Sequence, residues 1–566
     1  MKEPNVAVAL EGIDDPIPLV EPEPAEIVTP TRHIFVTGGV VSSLGKGVAS
    51  ATIGALLAAR GFRVTIQKFD PYLNIDPGAM SLVQHGEVFV TDDGAETDLD
   101  LGHYERFLNR SLTRQNNLTQ GRILWSLLRK ERAGDFGGNT VQFVPHLTNE
   151  IKKAIRAIAP GHDVVITELG GTTGDIEGEI FLEAFRQFAL EHGREYVAFV
   201  HLTLVPYIPT AGELKTKPTQ HSVRELLARG IQPDMLLCRT SRRMGEDIRR
   251  KIALFTNVPP NAVIEAWDVQ SIYDIPTLFH LQNVDALLCR RLNLPERPAD
   301  MKTWIRIAQA HREPKRGSIK VAVIAQHADY EDAYKSLAEA LAHGGIANDV
   351  RVEADWLAAD ALEGNAVVPD LSAYHGVLVP GGFGRQGVEG IISAIRAARE
   401  ARIPFLGIGL GMQCAVIERA RNVCGIGDAT SAELDPGAEH RIIALLDERY
   451  NMIDVGGRPR VGAYPAVLKE GTRVRAIYGL REASERHRHR YEVNNAYREA
   501  LEKAGLVISG TSPDGGLVEF VEDAEHPFFI GTIAHPEMKS RPASPHPLFV
   551  AFVKACMERR SASNSN

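Results

Sequence analysis

The chain has 566 residues, 44% of them hydrophobic and 24% charged, enough apolar material for at least two separate cores. Lys and Arg number 63 against 72 Asp and Glu, a net charge of −9; this excludes a general attraction for nucleic acid or an anionic membrane and confines anion binding to local basic pockets. Cysteines at 238, 289, 414, 424 and 556 follow no CxxC or Cys/His spacing, which excludes a disulfide framework and a structural zinc site.

Residues 1–30, rich in Glu, Asp and Pro, read as a disordered acidic tail. They lack the basic-then-apolar order of a secretory leader, and no apolar run reaches 18 residues, so a cytoplasmic protein with no membrane partner is expected. The strand-like RHIFVTG from Arg32 leads into FVTGGVVSSLGKGVAS, Phe35–Ser50, and the helical GVASATIGALLAARG follows. A glycine-rich turn between strand and helix makes a concave anion site of backbone N–H groups, and Lys46 adds a point charge. The turn departs from the strict P-loop: five residues separate Gly39 from Gly45, and Gly47 replaces the usual Ser or Thr.

A second strand, RVTIQKFD from Arg63, carries Lys68 at its end. The acidic, largely non-periodic GAETDLDLGHYERF reads as a ligand-lining loop holding Asp100. The run HDVVITELGG from His162 places Glu168 at the C-terminal edge of a parallel sheet, beside the phosphate loop. Magnesium bound to ATP needs such hard oxygen ligands. The strands YVAFVHLTLVP from Tyr196 and DMLLCRT from Asp234 complete a first α/β domain at 31–294. Arg291–Gly317 is rich in Arg, Lys and Pro without a strand-like run, and a linker is placed at 295–316. A second series, IKVAVIAQH from Ile319, HGVLVPGGFG from His375 and IPFLGIGLGMQ from Ile403, opens a domain at 317–560. The expected fold is α/β, with two doubly wound, mostly parallel-sheet domains and no internal repeat. In Ile403–Gln413 a strand enters a sharp Gly-x-x-x-Gly elbow and a helix, a shape that elsewhere presents a nucleophile. The presenting position, Gly409, carries no side chain.

These strings, with DPYLNIDPGAMS, GELKTKPTQHSVRELL, VPGGFG, RHRHRYEVNN and HPE in the same order, closely resemble the CTP synthase family from about Arg32 to about Ala551. That family is an amidoligase that aminates UTP at the expense of ATP. The resemblance implies that Ser43, Leu44, Gly45, Lys46 and Gly47 hold ATP phosphates, that Lys68 approaches the transferred phosphoryl, and that Asp100 and Glu168 bind Mg²⁺. Arg239 would lie near the adenine. Lys215, Gln220 and Lys251 would bind the UTP triphosphate, and Asp175 and Glu177 the cytosine ring of CTP, a product inhibitor. It also implies GTP as an allosteric effector and a homotetramer able to form filaments.

The second half resembles a class I glutamine amidotransferase domain, with a P-loop amidoligase domain before it. His535 and Glu537 occupy the proton-shuttling and orienting positions, while Gly409 stands where the family has its cysteine nucleophile. Cys414 does not substitute, because five helical residues are roughly 7.5 Å of rise and about 140° of rotation; it reads as a core residue. Gln386, the segment around Pro459, and Ile533 with Ala534 also depart from the family's residues, which favours natural decay of the glutaminase over an engineered knockout. The resemblance implies that Gly382, Gln413, Glu433 and Arg488, which lie near the positions where the family contacts glutamine, would contact glutamine if it is bound, and the amides of Gly382–Gly384 are candidates for an oxyanion hole. The implied reaction is amination of UTP with free ammonia through a 4-phosphorylated intermediate. The alternatives are a glutamine-dependent enzyme with its cysteine replaced for study, and a non-catalytic filament or scaffold paralogue.

Overall fold

The computed structural model describes residues 30–364, 370–445 and 460–563. The acidic tail up to residue 29 and the segment around Pro459 lie outside the described residues. The described chain forms two compact units.

One unit holds the described residues before Met80 together with Thr97–Gln309. Its seven strands are β1 (Arg32–Gly38), β2 (Val64–Asp70), β3 (Asn117–Thr119), β4 (Val164–Leu169), β5 (Val197–Leu204), β6 (Met235–Thr240) and β7 (Val263–Trp267). They lie in the order β7-β6-β5-β1-β4-β2-β3, every pairing parallel. Every residue of β2 and β4 is buried, as expected for strands covered on both faces. One face packs an aromatic core in which the rings of Phe35 and Phe185 stack at 4.3 Å. From its C-terminal end β1 connects past β4 to β2, whereas the adjacent β4 connects the other way, across β1 to β5; ligand crevices in open α/β sheets form at such a switch of direction. Helix α1 (Lys46–Ala59) starts there, and α2 (Asp100–Leu108) packs against it.

Two expectations are corrected here. The acidic stretch is helical from Asp100 onward, so this carboxylate sits in the first turn of α2 and not in a loop. The linker contains helix α3 (Lys302–Arg312). Trp304, Ile307 and Ala308 are buried at helical spacing, with the Trp304 ring 4.9 Å from that of Phe107. Its Arg and Lys cover the other face, which is why composition alone suggested a linker.

The second unit takes Met80–Glu96 and the chain from Ala310 onward. Its main strands are β8 (Ser318–Ala325), β9 (Arg351–Ala358), β10 (Gly376–Val379), β11 (Phe405–Ile408), β12 (Arg460–Leu468), β13 (Glu482–His489), β14 (Leu506–Thr511), β15 (Val518–Asp523) and β16 (Phe529–Thr532). The sheet order is β9-β8-β10-β11-β16-β15-β14-β12-β13. The first five strands are parallel and the rest antiparallel. Apolar clusters cover both faces, and helix α4 (Leu410–Asn422) follows β11 directly.

The continuous first domain at 31–294 is thus interrupted. Met80–Glu96 joins the second unit because Ser336 donates its N–H and its hydroxyl to the Glu87 carboxylate at 3.0 and 2.6 Å. In the same segment Arg486 donates to Asp92 at 2.7 Å, and the Ala463 N–H donates to the Asp92 carbonyl at 2.9 Å.

Candidate functional site

The first site gathers at the C-terminal edge of the parallel sheet. Strand pairing sets Lys68 of β2 beside Glu168 of β4, and both are buried. The Lys68 ammonium contacts Asp100, and lies 3.5 Å from Asp98, 3.5 Å from Glu168 and 3.9 Å from Asp70. Burial opposes that charge, but the carboxylates, Asp100 foremost, outweigh it and hold the Lys68 pKa well above the ordinary lysine value. Tyr104 donates to Glu168 Oε2 at 2.6 Å. Burial raises the pKa of Glu168 in spite of Lys68, and pushes Asp70 up to about 7, with Asp98 adding to the rise. Asp100 goes the other way: burial would raise it, but Lys68 holds it below the usual carboxylate value.

Lys46 donates to the Gly171 carbonyl at 2.6 Å, and burial lowers its pKa against the pull of Glu168. Four carboxylates, Asp70, Asp98, Asp100 and Glu168, therefore gather around two buried lysines. That surplus of hard oxygens fits a magnesium ion held by Asp100 and Glu168, with Asp70 and Asp98 beside them. The missing P-loop hydroxyl has a physical reason: a Cβ on Gly47 would overlap Asp100 Oδ1, so the acid fills the space a Ser side chain would need.

Beside the loop an apolar pocket is lined by Leu44, Val48, Trp267, Ile272 and Phe279, with Arg239 at its wall. Arg239 donates to the Leu44 carbonyl at 2.9 Å and to Asp268 at 3.0 Å, and Gly45 turns with φ +98 beside its guanidinium. The geometry suits a flat heteroaromatic ring. Ser43 is exposed on the same loop. The other expected nucleotide contacts stand apart: Lys215 pairs with Glu213, Gln220 donates to Thr216 at 3.0 Å, and Lys251, Asp175 and Glu177 are exposed. No described ion pair joins these to the Lys68 cluster.

The second site is the elbow between β11 and α4. A Cβ on Gly407 would come within 2.8 Å of the Gly411 carbonyl, and one on Gly411 would overlap the Val379 carbonyl oxygen, so the tight turn requires both glycines. Gly409 itself sits at φ 54 and ψ −110, and its N–H donates to the Thr532 carbonyl at 2.8 Å. A Cβ there would lie 3.6 Å from His535 Nε2. His535 Nδ1 donates to Glu537 Oε1 at 2.7 Å, so the His535–Glu537 pair is held in place and faces a β-carbon position that Gly409 leaves empty.

Gly382, Arg488, His535 and Glu537 line one pocket with Gln326 and Phe383. Arg488 pairs with Glu96 at 2.7 Å and lies over the Phe383 ring. Two of the three amides proposed for an oxyanion hole are engaged: Phe383 N–H donates to Gln326 at 3.1 Å and Gly384 N–H to Glu433 at 2.8 Å. Gln413 is buried and donates to the Tyr491 carbonyl at 3.2 Å. Cys414 is fully buried among Met412, Ala415 and Val416, and burial pushes its thiol far above the ordinary value.

Residues 32–294 match the CTP synthase N-terminus family, and residues 330–555 match glutamine amidotransferase class-I. The chain is 56% identical to the CTP synthase of Acidobacterium capsulatum over 93% of its own length and 96% of that protein's. It is 54% identical to those of Paramagnetospirillum magneticum and Koribacter versatilis, over 94% of the chain in each case and 99% and 95% of theirs. The chain belongs to the CTP synthase family. As a member of that family it is a ligase, and its two units correspond to the CTP synthase N-terminal domain and the class I amidotransferase domain.

Reading the sequence missed Asp70, Asp98 and Tyr104 in the acidic cluster of this CTP synthase family member, and Trp267 in the ring pocket. Asp98 alternates with Asp100 in TDLD, and Asp70 and Trp267 each end a parallel strand; strand-end position was the available signal for both. Gln326, which donates to the Gln386 carbonyl at 2.8 Å while accepting from Phe383, carries no local signal.

Proposed function

We propose that the chain converts UTP to CTP with ATP through a 4-phosphorylated UTP intermediate and draws its nitrogen from free ammonia. One contrast carries this reading: Lys46, Lys68, Asp100 and Glu168 converge at one sheet edge, whereas the elbow at Gly409 has no nucleophile. The uracil C4 oxygen is a poor leaving group, so phosphoryl transfer from ATP activates it. Ammonia then adds at C4 and phosphate departs. Lys46 and Lys68 offset the charge on the transferring phosphoryl, a catalytic term that depends on pre-positioned groups. Asp100 and Glu168 would hold Mg²⁺, which when bound supplies charge neutralisation at the ATP phosphates.

Arg239 and the apolar pocket take the adenine; Lys215, Gln220 and Lys251 take the UTP triphosphate, and Asp175 and Glu177 the CTP base. Gly382, Gln413, Glu433 and Arg488 would dock glutamine without its being cleaved. GTP as effector and a filament-forming homotetramer belong to the same proposal. The test supplies UTP, ATP and Mg²⁺ with either ammonium or glutamine. Ammonium is expected to support CTP formation and glutamine to give a rate lower by on the order of 10³ or more, the usual consequence of a missing covalent nucleophile. Comparable rates from the two sources would refute the proposal.

A further inference from the structure

The His535–Glu537 pair has kept its geometry beside an elbow that has nothing for it to activate. Its Nδ1 carries the hydrogen given to Glu537; in the neutral ring that tautomer puts the lone pair on Nε2. No described residue hydrogen-bonds that nitrogen, and Gly409 places no atoms between it and the pocket. Behind it Glu537, 6% exposed, has a second oxygen, Oε2, without a partner. The nearby cations are already engaged: Arg488 by Glu96 and Lys539 by Asp92 at 3.7 Å, while burial keeps His489 uncharged. An acceptor backed by a buried carboxylate, in a pocket the size of a small molecule, suits a small cationic N–H donor.

We propose that this pocket is an ammonium subsite in which His535 converts ammonium to ammonia; the proposal rests on the free-ammonia reading above. Dissolved ammonia at neutral pH is almost all ammonium, whose nitrogen has no lone pair with which to attack C4. One N–H of the bound NH₄⁺ breaks, its electron pair stays on nitrogen, and the proton passes to His535 Nε2. The products are NH₃ and an imidazolium held by Glu537, which returns the proton to water at the pocket mouth. His535 is the catalytic residue and Glu537 the positioning one.

The test uses the full chain with UTP, ATP, Mg²⁺ and titrated ammonium chloride, comparing His535→Ala and Glu537→Gln with the unsubstituted protein. Loss of this general base is expected to lower kcat/KM for ammonium by roughly 10²-fold or more, and the loss shows in KM because at high ammonium the small fraction of dissolved NH₃ still reaches C4. Hydroxylamine, uncharged at neutral pH, needs no base, so both variants should use it as well as the parent does, which also shows that they fold. An unchanged ammonium KM, or an equal loss with hydroxylamine, overturns the subsite. An unsubstituted chain that makes no CTP from ammonium defeats the free-ammonia reading itself, a separate result.

Discussion

Gly47 and Asp100 compete for one volume, and the glycine yields it to the carboxylate. Gly47→Ala should displace Asp100 from Lys68 and lower Mg²⁺ affinity or ammonium-dependent turnover by roughly 10–100-fold, the usual cost of disturbing groups that orient a metal ligand; a magnesium titration of activity checks it. At the elbow, Gly409→Cys would place its Cβ 3.3 Å from the Gly381 Cα and 3.6 Å from His535 Nε2. The thiol would reach the His535–Glu537 pair, but Gln386, Ile533 and Ala534 would remain. Glutamine-dependent CTP formation is therefore expected to stay at background in this variant, and its full recovery would mark a single engineered replacement. Gly409, His535 and Glu537 were legible because each lies in a short string tied to backbone shape. Asp70 and Asp98 were not, since nothing local shows that strands and helix aim them all at one lysine.

Strands carry a different kind of information. The parallel strands were readable from their unbroken apolar runs, and α3 was not, because Pro, Arg and Lys around it hid three apolar residues at helical spacing. Which unit Met80–Glu96 packs on is decided by distant partners such as Ser336 and Arg486, beyond the reach of local pattern. Where β12 and β15 approach Tyr491–Val493, Arg460 bridges Glu492 and Glu519 at 2.8 Å each, and His487 pairs with Glu519 at 2.7 Å, all of them buried. Burial, with Glu519 nearby and Arg460 opposing, pushes Glu492 from 4.5 up to about 8. Between those values the folded chain keeps a proton that the unfolded chain has released, so stability falls as pH rises through the window and levels off above it. Glu492→Gln removes that titration. Thermal unfolding from about pH 6 to about pH 9 should show a smaller drop in Tm for the variant than for the parent, and equal drops would refute the assignment.

For the molecule as a whole, two α/β units, matching the CTP synthase N-terminus and the class I amidotransferase families, would carry two chemistries in unequal states on the proposed reading. With a net charge of −9, the proposed phosphate binding rests on Lys46, Lys68 and the loop before α1 alone, and the described helices include none long and apolar enough to cross a membrane. The synthase half gathers Lys46, Lys68, Asp100 and Glu168 at one sheet edge, while the amidotransferase half has its pocket, the His535–Glu537 pair and an elbow without a sulfur on it. The most direct measurement gives the chain UTP, ATP and Mg²⁺ together with ¹⁵N-ammonium and unlabelled glutamine in excess, and weighs the CTP formed. The account predicts that essentially every new amino group carries ¹⁵N; CTP with unlabelled nitrogen, drawn from glutamine, would contradict it.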